Sequence, residues 1–148
     1  MNLHAVVIQP ALALGGALTA VAALAHVGCI VFGASWYRFF GAGERMARMA
    51  DAGDPMAAIV TAAIAGMLAL WAAYAFSAAG LLPRMPWPKL ALSAIATIYL
   101  LRGLAGIGVA LFVAKTEQGA PFWWWSSAIC LGLGALHAWG LSRVWARL

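Results

Sequence analysis

Charged side chains punctuate this chain at long intervals. Asp, Glu, Lys and Arg occur only at 38, 44, 45, 48, 51, 54, 84, 89, 102, 115, 117, 143 and 147, leaving residues 1–37, 55–83, 90–101, 103–114 and 118–142 free of formal charge. A membrane-spanning helix needs roughly 20 apolar residues. The first, second and last stretches are long enough alone, and the middle two become long enough when joined across Arg102. Four spans are therefore predicted. Proline marks their starts, because it lacks the backbone donor that a helix interior uses and suits the first helical position. Pro10, Pro55, Pro88 and Pro121 each open an apolar run, while Pro83 and Pro86 lie in the connection GLLPRMPWPK. Unbroken helices are expected over about residues 10–34, 55–79, 88–114 and 121–145, with Asp54 as the N-cap of the second.

The longest connection, SWYRFFGAGERMARMADAGD, has a periodicity of its own. On a helix turning ~100° per residue, Arg38, Glu44, Arg45, Arg48 and Asp51 gather in one sector, with Trp36, Phe39, Phe40, Met46, Ala47 and Ala50 opposite. This predicts a short interfacial amphipathic helix between the first and second spans. Gly41 and Gly43 can break it, leaving a turn followed by a helix from about Glu44.

Composition fits this pattern. The chain is 66% hydrophobic and 9% charged with a mean hydropathy of +0.93, far from a soluble domain. The expected fold class is an all-α integral membrane protein: one four-transmembrane-helix bundle over residues 1–148, multi-pass, in the cell inner membrane. No Lys or Arg precedes the first apolar run, so a cleaved leader is not expected. The net charge of +5 comes from bases scattered at span ends, which suits lipid headgroups and not nucleic acid.

Trp36 and Trp123 to Trp125 fall at one membrane face, here the first side, and Trp87 and Trp145 at the other, as aromatic belts do. Each side carries four bases, so the positive-inside count is tied; the four acids, all on the first side, lean slightly towards cytoplasmic termini. Glycine and alanine clusters such as RGLAGIG and CLGLGALHAWG permit close helix packing and suit a homo-oligomer. Cys29 and Cys130 form no CxxC pair and read as small buried side chains.

Arg102 is the thirteenth of the 25 residues between Lys89 and Lys115, at the middle of its span. A guanidinium there costs about 2.5–3.5 kcal/mol to insert, so it is expected to face protein, water or a ligand. Counting inward from the first-side charges puts His26 and Cys130 near its depth, Tyr99 and Trp71 one level further, and Tyr74 and His137 beyond them. Arg102, His26, Tyr99, Tyr74 and His137 are the candidate ligand-binding residues. No Asp or Glu lies within a span, and Glu44 would have to dip about 18 Å by helix rise to reach Arg102. The natural guest for the guanidinium fork is a carboxylate or phosphate, from a small molecule or a lipid.

ERMAR at 44 to 48, after the first span, together with Arg102 in the third, resembles the microsomal glutathione transferase family of trimeric four-helix membrane enzymes. The resemblance rests on Glu44, Arg45, Arg48 and Arg102 and implies a glutathione-conjugating membrane enzyme. Ala52 and Pro55 stand where that family has Asn and Glu, and no tyrosine follows Arg102 on the same helix. The chain has no HExxH, no nucleophile and base at matching depth and no cofactor fingerprint, and two histidines alone make no metal site. No catalytic residue, metal or cofactor is thus assigned, and whether the chain is an enzyme stays open. The leading expectation is a binding or permeation module with a mid-membrane Arg102 site for an anionic or lipid-like ligand. The alternatives are the glutathione-transferase-like enzyme and a structural subunit of a membrane complex.

Overall fold

The computed structural model describes residues 8–113 and 120–148, and among these it is all helix and turn, with no strand. Four long helices start where proline or a cap allows. Helix α1 (Pro10–Phe32) begins after Gln9, whose side-chain Oε1 accepts from the Leu12 N–H at 2.7 Å. Helix α4 (Pro55–Ala79) begins after Asp54, whose carboxylate accepts from the Met56 N–H at 2.9 Å, and ends at Gly80 in the left-handed region. Helices α5 (Pro88–Val113) and α6 (Ala120–Val144) follow, and a 3-10 turn, Trp145–Arg147, closes the chain.

The connection between α1 and α4 is two short helices, α2 (Ala34–Phe39) and α3 (Glu44–Asp51), in place of a single one. The break falls at Gly41 and Gly43, with φ of 68° and 94°. Gly41 also abuts the Phe122 ring, and a Cβ there would come 2.6 Å from Phe122 Cγ. No other residue type fits both that backbone and that contact, so the helix cannot run through. Arg38 clips the two pieces together, its Nη2 lying 3.0 Å from Glu44 Oε1 and 2.8 Å from Asp51 Oδ2. The hydrogen bond from Arg38 holds the Glu44 carboxyl below its usual range. Beneath the clip Tyr37 is buried, its Oη 2.9 Å from Thr61 Oγ1, and both hydroxyls reach the Ala57 carbonyl. On α3, Ala47 is buried while Glu44, Arg45, Arg48 and Asp51 are exposed.

Helices α1, α4 and α5 are long and apolar enough to cross a membrane, with mean hydropathies of 1.9, 2.1 and 1.9 over their best windows. Helix α6 matches them in length, but WWWSS at its start and His137 near its end dilute its apolar run. Hydropathy alone therefore does not make it a span. The outward faces carry large apolar side chains in the open, among them Val21, Leu24 and Val31 on α1 and Leu90 and Phe112 on α5. So extensive an apolar surface suits a membrane helical protein.

The long helices pack as two antiparallel pairs, α1 with α4 and α5 with α6, joined mainly by α1 against α6. Small residues at these contacts let the helix backbones approach closely. The α5/α6 contact is reciprocal. Leu131 of α6 sits over Gly103, Leu100 of α5 sits over Gly134, and in each case the leucine backbone N lies 3.1 Å from where a glycine Cβ would be. Leu12 of α1 seats over Gly140 of α6 in the same way.

Gly134→Ala should therefore destabilise the fold by about 1–3 kcal/mol, because the new methyl meets backbone as well as a leucine side chain. Gly66→Ala, with nothing within 4 Å, should cost nothing and gain up to about 1 kcal/mol of helix propensity. Denaturant unfolding of both variants in one detergent checks this. Equal stabilities would contradict the close approach of α5 and α6.

Candidate functional site

At the centre of the four long helices each contributes one polar or aromatic side chain: Thr19 from α1, Trp71 from α4, Tyr99 from α5 and His137 from α6. Tyr99 is buried and its hydroxyl donates to Thr19 Oγ1 at 3.2 Å. The Trp71 ring meets Tyr99 edge to face at 5.1 Å, and the His137 ring lies tilted against Tyr99 at 5.6 Å. His137 is fully buried, with Nδ1 2.8 Å from the Leu133 carbonyl one turn back on its own helix. That bond makes Nδ1 the donor and leaves Nε2 an acceptor, which has no hydrogen-bond partner among the described residues. Gly15 of α1 admits the ring: a Cβ there would lie 3.0 Å from His137 Cε1.

Arg102 lies one turn along the same face of α5 as Tyr99. Its side chain runs towards the first side to the level of Gly106, about 6 Å of helix rise. The guanidinium carbon stands 5.0 Å over the Trp123 ring of α6. A Cβ on Gly106 would lie 2.7 Å from Arg102 Nη1 and would overlap Ser127 Oγ, so the two groups crowd one point. Arg102 Nη1 and Ser127 Oγ are both buried, and neither has a hydrogen-bond partner among the described residues. Cys130, one turn on from Ser127, lies within the electrostatic reach of Arg102. Tyr99, Arg102 and Gly106 on α5 and Ser127, Cys130, Gly134 and His137 on α6 follow helical spacing, so one polar seam runs along the α5/α6 contact.

The sequence-predicted residues divide. Tyr99 and His137 meet in the central layer, and Arg102 continues its seam. His26 turns its Nδ1 to the Ala22 carbonyl of its own helix at 2.7 Å, and Tyr74 packs partly buried against the main core. No hydrogen bond or ring contact joins either to Arg102 among the described residues. Sequence reasoning missed Thr19, a lone hydroxyl among alanines and glycines, and Ser127, which follows Ser126 directly after the tryptophan run. Ser127 could have been found as the residue one turn from Cys130, which the depth count places level with Arg102. Of the residues carrying the resemblance to glutathione transferases, Glu44 is engaged by Arg38, while Arg45 and Arg48 are exposed on α3.

No protein-family model matches the chain, and comparison with curated proteins and with solved structures finds no match to it.

The Tyr99–Thr19 bond yields an asymmetry that mutation can read. Thr19→Val leaves the Tyr99 hydroxyl buried without an acceptor and should destabilise by about 1–3 kcal/mol, whereas Tyr99→Phe removes the donor and should cost about 0.5–1.5 kcal/mol. Unfolding titrations that rank Tyr99→Phe as the more damaging would contradict the central layer.

Proposed function

We propose that the chain is a four-span helical-bundle membrane protein that acts as a binding module, with Arg102 and Ser127 holding the oxyanion of a lipid-like guest. The observation that carries this reading is the pair of buried, unpartnered groups, Arg102 Nη1 and Ser127 Oγ, turned to one point beside Gly106. A guanidinium offers fixed donors that match a carboxylate or phosphate, and a neighbouring hydroxyl adds a further donor. No Asp or Glu occurs between residues 55 and 116 to neutralise the charge from within the spans.

The guest's apolar part is argued from the flanks. Leu101 and Leu104, on either side of Arg102 in sequence, are 60% and 59% exposed, so an acyl or similar chain can lie along α5 while its head reaches the guanidinium. Trp123 covers the guanidinium face, and cation–π attraction of about 0.5–2 kcal/mol offsets only part of the insertion penalty of about 2.5–3.5 kcal/mol. An anionic guest supplies the remainder. Reading α6 as the fourth span rests on its packing along the whole of α5 and on Leu12 of α1 seated at Gly140 near its end.

Native mass spectrometry of protein purified from one membrane extract tests the reading. Arg102→Leu should fold and lose the co-purifying anionic species. Arg102→Lys should retain it at an intermediate level, having charge without the fork, and Ser127→Ala should weaken it. Identical ligand profiles in all four proteins would overturn the proposal and leave Arg102 as a packing element.

A further inference from the structure

The side opposite the α2–α3 connection gathers cations, and among the described residues no Asp or Glu pairs with Arg84 or Lys89 there. Residues 80–90 and 138–148 contain Arg84, Lys89, Arg143 and Arg147 and not one Asp or Glu, whereas Glu44, Asp51 and Asp54 lie on the α2–α3 side. On the first side Arg38 is already engaged by Glu44 and Asp51. On the second side the fold brings cations to one corner: Arg84 Nη2 donates to the Arg147 carbonyl, tying the α4–α5 loop to the closing 3-10 turn, and Lys89 Nζ stands 5.4 Å over the Trp145 ring. An open groove of about 540 Å³ lies there, lined by Trp87, Pro88, Lys89, Leu90 and Leu148.

Trp87 provides an independent observation. Its φ is 47°, in the left-handed region that costs a bulky L-residue roughly 1–2 kcal/mol, yet its ring is 79% exposed and gains little from the protein in return. Indoles rest favourably at the headgroup level of a bilayer. The strained backbone is understandable if it holds this ring at that level, beside the lysine and above the exposed Leu90.

We infer that this corner is a binding site for the headgroup of an anionic phospholipid, separate from Arg102. The phosphodiester lies between Arg84 and Lys89, the Trp87 indole packs at the glycerol level and an acyl chain follows Leu90 along α5. Charge complementarity commits the site to an anionic lipid: the corner joins two cations, Arg84 and Lys89, to an apolar helix face, which a soluble anion would not use. Lys89 and Arg102 are separated by about 20 Å of helix rise, so each site can fail without the other. The bilayer leaflet against this side is then the more anionic one, which places the C-terminal turn on the cytoplasmic side.

The test uses the full chain in nanodiscs of mixed phosphatidylcholine and phosphatidylglycerol, with retained lipids counted by native mass spectrometry. Wild type should retain phosphatidylglycerol over phosphatidylcholine. Arg84→Gln with Lys89→Gln should lower that ratio about fivefold per cation removed, while Arg84→Lys with Lys89→Arg, and separately Arg45→Gln with Arg48→Gln on α3, should leave it within twofold. Lys89→Gln alone, which keeps the Arg84 contact, gives the same readout at about half the logarithmic effect if the double variant loses helix content. An unchanged ratio in the folded Arg84 and Lys89 glutamine variants, or an equal loss in the Arg45→Gln, Arg48→Gln protein, would overturn the inference.

Discussion

Leu131 seated over Gly103 and Leu100 over Gly134 bring the backbones of α5 and α6 close enough for two short glycine notches to organise the polar interior. Dispersion across this close contact falls away steeply with separation, so the glycine notches decide how tightly α5 and α6 pack. Because the helices meet at glycine, Ser127 reaches the guanidinium side of α5, and the His137 ring packs on Tyr99. Gly106 belongs to the same arrangement, since any side chain there would occupy the point where Arg102 Nη1 and Ser127 Oγ meet.

The polar groups along this seam are not equally satisfied. Tyr99 and Thr19 form a closed donor–acceptor pair, and Trp71 packs its ring against Tyr99, so the central layer fixes the relation of α5 to α1 and α4. Arg102 differs in kind. The Trp123 ring stabilises the cation without satisfying its N–H donors, and unsatisfied donors in a low-dielectric setting are what an anionic guest corrects. The inferred lipid site applies the same physics to Arg84 and Lys89, with a headgroup as the proposed counter-charge.

Helix starts were legible in the sequence because proline and Asp54 act through local backbone chemistry, and the four long helices begin within a residue of the positions predicted. The split of α2 from α3 was half legible: the glycines marked the weak point, but the contact of Gly41 with Phe122, which requires the break, is long-range. Counting residues from the charged ends gave depth, and it put Tyr99 near Trp71 and Cys130 near Arg102. Azimuth is invisible to such a count, so His26 entered the candidate set although it bonds inside its own helix. His137 lies a rung closer than counted, with its ring against Tyr99. The hydroxyl of Thr19 carried no signal, since a lone Thr among alanines and glycines reads as packing, whereas Ser127 was legible only through its spacing from Cys130.

The central claim is that the Arg102 guanidinium is completed by something other than this chain. Structure determination of the protein in its native lipids addresses it directly. The account predicts density for an oxyanion within about 3 Å of both Arg102 Nη1 and Ser127 Oγ, with an apolar tail along Leu101 and Leu104. A guanidinium whose Nη1 is bonded to a protein oxygen, with no such density beside it, would contradict the account.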